Sequence, residues 1–173
     1  NLICQFDGQT DLITVVSSMF MHGGWLHLIG NMWFLWVFGD NVEDAMGPLR
    51  FILFYLLSGL VASAAQIATD TSSIIPMVGA SGAIGGVMGA YALLYPRARV
   101  RTLVFLGFFI TTLSIPAFFI LAWWFVVQLV SGLPTLGRQG GGVAFWAHIG
   151  GFLAGILLVT LFRQRSSGTV DGT

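Results

Sequence analysis

The sequence is poor in charge and in cysteine. Only 8% of its 173 residues are charged, and all seven basic residues are arginines, whereas soluble proteins carry about 25% charged residues. So little charge cannot cover a water-exposed surface of this size. No basic cluster could follow a phosphate backbone, so we expect no nucleic-acid partner. The single cysteine, Cys4, excludes an internal disulfide and a metal site built from several cysteines.

Apolar residues make up 56% of the chain and occur in long continuous runs. A bilayer core needs about 20 apolar residues per helix, and continuous runs favour helices over the alternating strands of a barrel. We therefore expect an all-α polytopic membrane protein, a helical bundle with one transmembrane domain over residues 1–165 and a flexible polar tail over 166–173. Five transmembrane helices are predicted, at 22–39, 49–68, 80–95, 116–132 and 143–162.

The arginines give these helices an orientation. The apolar stretch 102–115 is too short to cross a bilayer and is closed by Pro116, so we interpret it as an interfacial or hairpin segment. Five crossings then put six arginines on one face, which the positive-inside rule makes cytoplasmic, together with the C-terminus. The six are Arg50, Arg97, Arg99, Arg101, Arg163 and Arg165, and the opposite face holds Arg138, Asp7, Asp11 and Asp70.

Polar side chains inside a bilayer are costly, which makes them candidates for function. Asp40, Arg97 and Arg163 are taken as the cytoplasmic ends of three predicted helices. Counting back 1.5 Å per residue from these ends puts His27, Ser81 and His148 at one level, about 20 to 24 Å from that boundary. Asn31 lies one turn from His27 on the same helix face. Residues 76–79 resist helix formation, so the loop before Ser81 is expected to enter the membrane and line a water-filled cavity.

Glycines at four-residue spacing allow close contact between membrane helices. The pairs are Gly82 and Gly86, Gly85 and Gly89, and Gly151 and Gly155. We therefore expect the short helix that carries Ser81 to lie in the interior of the bundle, packed against the helix that carries His148.

Taken singly, each polar residue has a structural explanation: Ser81 as a packing serine, and His148 as a buried histidine bonded to a carbonyl. Their common level is better explained by acyl transfer, which needs a nucleophile, a base and donors for an oxyanion. Ser81 and His148 would form a dyad, since no carboxylate lies at this depth, and His27 and Asn31 could donate to the oxyanion. A protein that binds membrane helices without cutting them and a small-solute channel remain alternatives.

Three short motifs follow one another along the chain: HGGWLHLIGN (22–31), GASG (79–82) and AHIGGFLAG (147–155). In this order they resemble the rhomboid family of intramembrane serine proteases, and FGDNVEDAMG (38–47) and GFFITTLSIPA (107–117) are similar to bacterial members. The resemblance runs from about Ser18 to Phe162.

The resemblance implies an endopeptidase that cleaves transmembrane segments of other proteins in the bilayer and uses no metal or cofactor. It implies Ser81 as nucleophile, His148 as general base, and His27 and Asn31 as oxyanion donors. Gly79 would begin the serine loop, and Gly151 would pack the last helix against the serine helix.

A bacterial cytoplasmic membrane is the expected location, with the site open to the extracytoplasmic side. The family core has six helices, so the predicted five indicate a chain truncated before its first helix.

Overall fold

The structure, a computed structural model, describes residues 12–69, 71, 77–136 and 142–164. Six helices are described: α1 (Leu12–Ser18), α2 (Trp25–Met46), α3 (Pro48–Thr69), α4 (Ser81–Leu94), α5 (Ala117–Gly132) and α6 (Phe145–Phe162). Strands β1 (Arg99–Leu106) and β2 (Phe109–Pro116) lie between α4 and α5, and a short 3-10 helix (Leu133–Thr135) follows α5. Several residues and segments used in the predictions lie outside the described residues: Cys4, Asp7, Asp11, Asp70, Pro76, Arg138, Arg165 and 166–173.

Three of the described helices are long and apolar enough to cross a membrane: Pro48–Thr69, Ala117–Thr135 (α5 with the 3-10 helix) and Phe145–Phe162. The other two predicted spans fall short for different reasons. α2 has the length but contains His27, Asn31 and three acidic residues near its end. α4 has only 14 residues, about 21 Å. The five-helix count stays a prediction.

Most of the described residues are helical, as expected, but the protein is not all-α, because β1 and β2 pair as an antiparallel hairpin. The strands are rich in the β-branched and aromatic residues that favour extended chain. Gly107, with φ of 63°, opens a two-residue turn before β2, a position where glycine is the favoured residue. The stretch 102–115 therefore doubles back on itself and does not form a membrane-crossing helix.

Helix α2 differs from its predicted bounds at both ends. It begins at Trp25, after two glycines, and it continues past Asp40 to Met46. Gly47 ends it with φ of 82°, and Pro48 then opens α3 in the first-turn position that proline tolerates. The predicted depth of His27 used Asp40 as the helix end, so that count rested on the wrong boundary.

The C-terminal ends of α2, α4 and α6 lie at the same end of the bundle. The Gln164 backbone N–H, after α6, donates to the Ala45 carbonyl oxygen at 2.8 Å. The Tyr95 hydroxyl, after α4, donates to the Asn41 carbonyl oxygen at 3.0 Å. Because the three helices run in the same direction, their first turns meet at the opposite end. His27, Ser81 and His148 all lie in those first turns, which explains their common level better than the residue count did.

Helix α4 is the centre of the bundle, and every residue from Gly82 to Tyr91 is buried. Its most extensive helix contact is with α6. Gly85 and Gly89 face the α6 backbone near His148 and Phe152. A helix this short can be tolerated at membrane depth because protein surrounds it on all sides.

Glycines on both helices make the α4–α6 contact close. A Cβ on Gly151 or Gly155 would collide with the carbonyl oxygens of Gly82 and Gly86, respectively. Such contact between backbones requires residues without side chains on both helices. The first turns of α4 and α6 are thereby held side by side.

Candidate active site

Ser81 is the first residue of α4, and the loop before it is fixed by backbone contacts. The Gly79 N–H donates to the Ser18 carbonyl oxygen at 2.9 Å. Gly79 has φ of 127°, a region that residues with a Cβ rarely adopt. Because the helix starts at Ser81, the first backbone N–H groups of α4 have no acceptor within the helix.

The side chains of Ser81 and His148 are in hydrogen-bond contact. His148 Nε2 lies 2.8 Å from Ser81 Oγ, although 67 residues separate the two in sequence. Both side chains are partly buried. The distance falls within the range that a serine nucleophile and its base require.

The other ring nitrogen of His148 has a partner that the sequence analysis missed. His148 Nδ1 lies 2.8 Å from Oε1 of Gln128 on α5, and the Gln128 side chain is buried. A carbonyl oxygen can only accept, so Nδ1 carries the proton and Nε2 is left free to accept the Ser81 hydroxyl proton. Gln128 lies inside a predicted span, so the rule that selected His148 could also have selected it.

Two further contacts hold the start of α6. The Trp124 ring lies against the His148 ring, with centroids 5.7 Å apart and planes inclined by 37°. Oε1 of Gln66, on α3, accepts the Ala147 backbone N–H at 3.2 Å. Each contact needs a long-range neighbour that no local pattern identifies.

His27 lies beside the serine loop. A Cβ on Gly79 would be 2.7 Å from His27 Cε1 and 3.7 Å from Ser81 Oγ, so His27 and Ser81 border the same point. His27 Nδ1 accepts the Gly23 backbone N–H at 3.4 Å, which leaves the proton on Nε2.

Asn31 is one turn further along α2 and is buried. Its Nδ2 is a buried donor that has no hydrogen-bond partner among the residues the structure describes. Buried polar groups without partners are rare and invite a functional explanation.

A small cavity adjoins Ser81. Its volume is about 20 Å³, and its wall includes Gly79, Ser81, Gly82, Ser63 and Ala147. The sequence predicts a water-filled cavity beside Ser81 but not its size. The cavity found there has room for about one water molecule.

Comparison with known proteins bears on this arrangement. A family model described as the rhomboid domain matches residues 9–165. The chain belongs to the rhomboid family. Within that family, "Rhomboid protein 1, mitochondrial" of Saccharomyces cerevisiae is 28% identical over 160 residues, which cover 90% of this chain and 43% of the yeast protein.

Further rhomboid relatives come from a plant and a vertebrate. "RHOMBOID-like protein 5" of Arabidopsis thaliana is 32% identical, over 87% of this chain and 45% of the relative. "Presenilin-associated rhomboid-like protein, mitochondrial" of Homo sapiens is 31% identical, over 84% of this chain and 37% of the relative. The chain thus spans less than half the length of these three curated relatives.

These relatives do not support the expectation of a bacterial-type rhomboid in a bacterial cytoplasmic membrane. They are eukaryotic, and two of the three carry "mitochondrial" in their names. The bacterial assignment rested on two short segments, FGDNVEDAMG (38–47) and GFFITTLSIPA (107–117), and segments this short do not separate the branches of a family. The assignment therefore stands at the level of the rhomboid family.

Proposed function

We propose that the protein is an intramembrane serine endopeptidase that cleaves transmembrane segments of other membrane proteins. The observation that carries the proposal is the 2.8 Å distance between Ser81 Oγ and His148 Nε2. A protein that binds membrane helices without cutting them would need the cavity but would have no use for this contact. The membership of the rhomboid family supports the same choice.

In the proposed reaction, His148 Nε2 takes the hydroxyl proton of Ser81 as Oγ attacks the carbonyl carbon of the scissile bond. The histidine then gives this proton to the leaving amine, and the acyl group stays on Ser81. In the second half, His148 takes a proton from a water molecule as the water oxygen attacks the ester carbonyl carbon. The histidine then gives this proton to Ser81 Oγ as the bond between Oγ and the acyl carbon breaks, which releases the acid and restores the free serine. A serine and a histidine suffice for this sequence, within the known variation of serine catalysis.

Three groups are candidates for stabilising the oxyanion. The free backbone N–H groups at the start of α4 are the nearest to Ser81. Asn31 brings an unpartnered amide donor, and His27 brings its Nε2–H beside Gly79. Removing one oxyanion donor from a serine protease lowers kcat by about 10² to 10³.

Gln128 is proposed as a positioning residue. Its Oε1 accepts from Nδ1 of His148, which fixes the ring orientation and keeps the lone pair of Nε2 towards Ser81. The contact with Trp124 restricts the same ring from the side. In this respect Gln128 does part of what an aspartate does in a three-residue site, without adding a charge in the membrane.

The test is cleavage of a model transmembrane substrate by the full-length protein in proteoliposomes. Ser81→Ala should lower kcat by at least about 10⁴-fold, the effect expected for a lost nucleophile. Ser17→Ala is the matched control, because Ser17 is exposed and, among the residues the structure describes, its hydroxyl bonds only to the local Thr14 carbonyl oxygen. Equal cleavage by Ser81→Ala and Ser17→Ala would overturn the assignment.

A further inference from the structure

The β1–β2 hairpin is an exposed apolar projection. Phe108, at the turn, is fully exposed, and Phe105, Phe109 and Ile110 are each at least 64% exposed. The hairpin is joined to the bundle at its base, where Val100 packs against the core. A contiguous exposed apolar surface marks a site that binds a protein or a membrane.

Positive charge accompanies this apolar surface. Arg99, Arg101 and Phe105 are alternate residues of β1, so they lie on one face of the hairpin. The arginines are near its base and the phenylalanine is near its turn. The segment from Pro96 to Gly132 contains no acidic residue. The hairpin therefore complements a partner that is anionic at one level and apolar at the next.

A cavity lies between the base of the hairpin and the first turn of α5. Its volume is about 400 Å³, and it is lined by Pro96, Arg97, Arg99, Pro116, Phe118 and Phe119. Two arginines and two exposed phenylalanines thus line the same cavity. Nη1 of Arg99 also donates to the Ser114 carbonyl oxygen on β2 at 3.2 Å, which holds this side chain at the base of the hairpin. The two phenylalanine rings continue onto the outer surface of α5, one of the candidate membrane-spanning helices.

We propose that this cavity binds the headgroup of an anionic phospholipid and that the hairpin lies in the membrane interface. The phosphate accepts hydrogen bonds from Arg97 and Arg99, and an acyl chain runs along Phe118 and Phe119. The aromatic residues at the hairpin turn occupy the interfacial layer, where aromatic side chains collect. A second copy of the hairpin would bring like charges together, so a lipid is the better occupant. The proposal does not depend on proteolysis.

The first test measures phosphatidylglycerol binding to the full-length protein in detergent by native mass spectrometry. Replacing both arginines (Arg97→Gln with Arg99→Gln) should lower the affinity of the most tightly bound lipid by about five-fold per arginine. Arg50→Gln, an exposed arginine that does not line the cavity, should leave that affinity unchanged. Equal affinities in both variants, or displacement of the lipid by inorganic phosphate alone, would overturn the proposal.

The second test locates the hairpin. A spin label is placed at Phe108→Cys, with other cysteines replaced by serine, in phosphatidylcholine–phosphatidylglycerol bilayers. Phe108 is fully exposed, so this substitution removes no packing within the protein. A label at Asp44→Cys, exposed in the last turn of α2, is the aqueous reference. Compared with the label at position 44, the label at position 108 should be more accessible to oxygen and less accessible to a water-soluble nickel complex. Equal nickel accessibility, or dipolar broadening between copies, would contradict a membrane-bound hairpin.

Discussion

Replacing Gln128 by leucine removes the acceptor that holds the His148 ring, with little change in side-chain volume. In the native site, Oε1 of Gln128 lies 2.8 Å from Nδ1 of His148. Without it, Nδ1–H is left unpaired in a buried position. The ring can escape by rotating, or by moving its proton to Nε2. Either change costs it the ability to accept the Ser81 hydroxyl proton.

The magnitude follows from the cost of an unsatisfied buried donor, about 1 to 3 kcal/mol. If that cost drives the ring out of its productive state, kcat should fall by about 10- to 100-fold. The effect should be smaller than the 10⁴-fold known for a lost aspartate partner, because Gln128 is neutral. KM should change little, since Gln128 acts through His148 and does not touch the substrate.

The assay is kcat and KM for a transmembrane substrate in proteoliposomes, with the histidine tautomer read from ¹⁵N chemical shifts. Gln128→Glu keeps an acceptor oxygen at the same reach and should retain more activity than Gln128→Leu. A leucine variant with kcat within about two-fold of wild type would show that Gln128 does not position His148. So would equal defects in both variants with the native tautomer preserved.

Three other substitutions test separate parts of the account. Gly155→Ala should lower the thermal midpoint in detergent by the equivalent of about 1 to 3 kcal/mol, through collision with Gly86. Gly30→Ala, where a Cβ meets no described atom within 4 Å, should leave the midpoint unchanged, and equal midpoints in the two variants would count against close α4–α6 packing. Gly79→Ala should reduce kcat by about ten-fold or more, because its Cβ would displace His27 and strain the serine loop; unchanged kcat would separate His27 from the site. Asn31→Leu should lower kcat by about 10² to 10³ while the midpoint holds or rises, because an unpaired buried amide is removed; a lower midpoint with normal kcat would make Asn31 structural.

The helices were predictable where a continuously apolar run has about the length of a membrane-crossing helix. The runs predicted at 49–68 and 143–162 correspond closely to α3 and α6, since both are continuously apolar and have clear ends. α2 was harder, because polar residues occur inside it and Asp40 looked like a boundary. An exposed acidic residue such as Asp40 is compatible both with the end of a helix and with its continuation outside the apolar segment. A hydropathy pattern does not distinguish the two.

The hairpin shows a different limit. An apolar run of 14 residues with threonines fits a buried helix segment and a strand pair almost equally well. The strand pair forms because the two segments bond to each other, in a register that runs from Arg99 opposite Pro116 to Leu106 opposite Phe109. Such pairing is a contact between two segments and is not visible in either one alone. The length of the run and Pro116 were enough to predict an interfacial or hairpin segment, but not strand pairing, for which Gly107 at the turn is the local signal.

The candidate site was partly predictable for a physical reason. Ser81 and His148 stand out because polar groups are rare in apolar helices, and glycines nearby indicate close packing. Gln128 and Gln66 are also polar residues within apolar helices, yet their roles depend on which backbone or ring atom each one meets. That information lies in the packing of α3 and α5 against α6, which no spacing rule contains.

The proposed function requires that Ser81 is a nucleophile activated by His148. The most direct measurement is the intact mass of the full-length protein after reaction with a fluorophosphonate, with the adduct located by peptide mapping. We expect one adduct on Ser81, lost in Ser81→Ala and strongly reduced in His148→Ala. A folded protein that takes up no adduct, or one labelled equally well without His148, would contradict the proposed function.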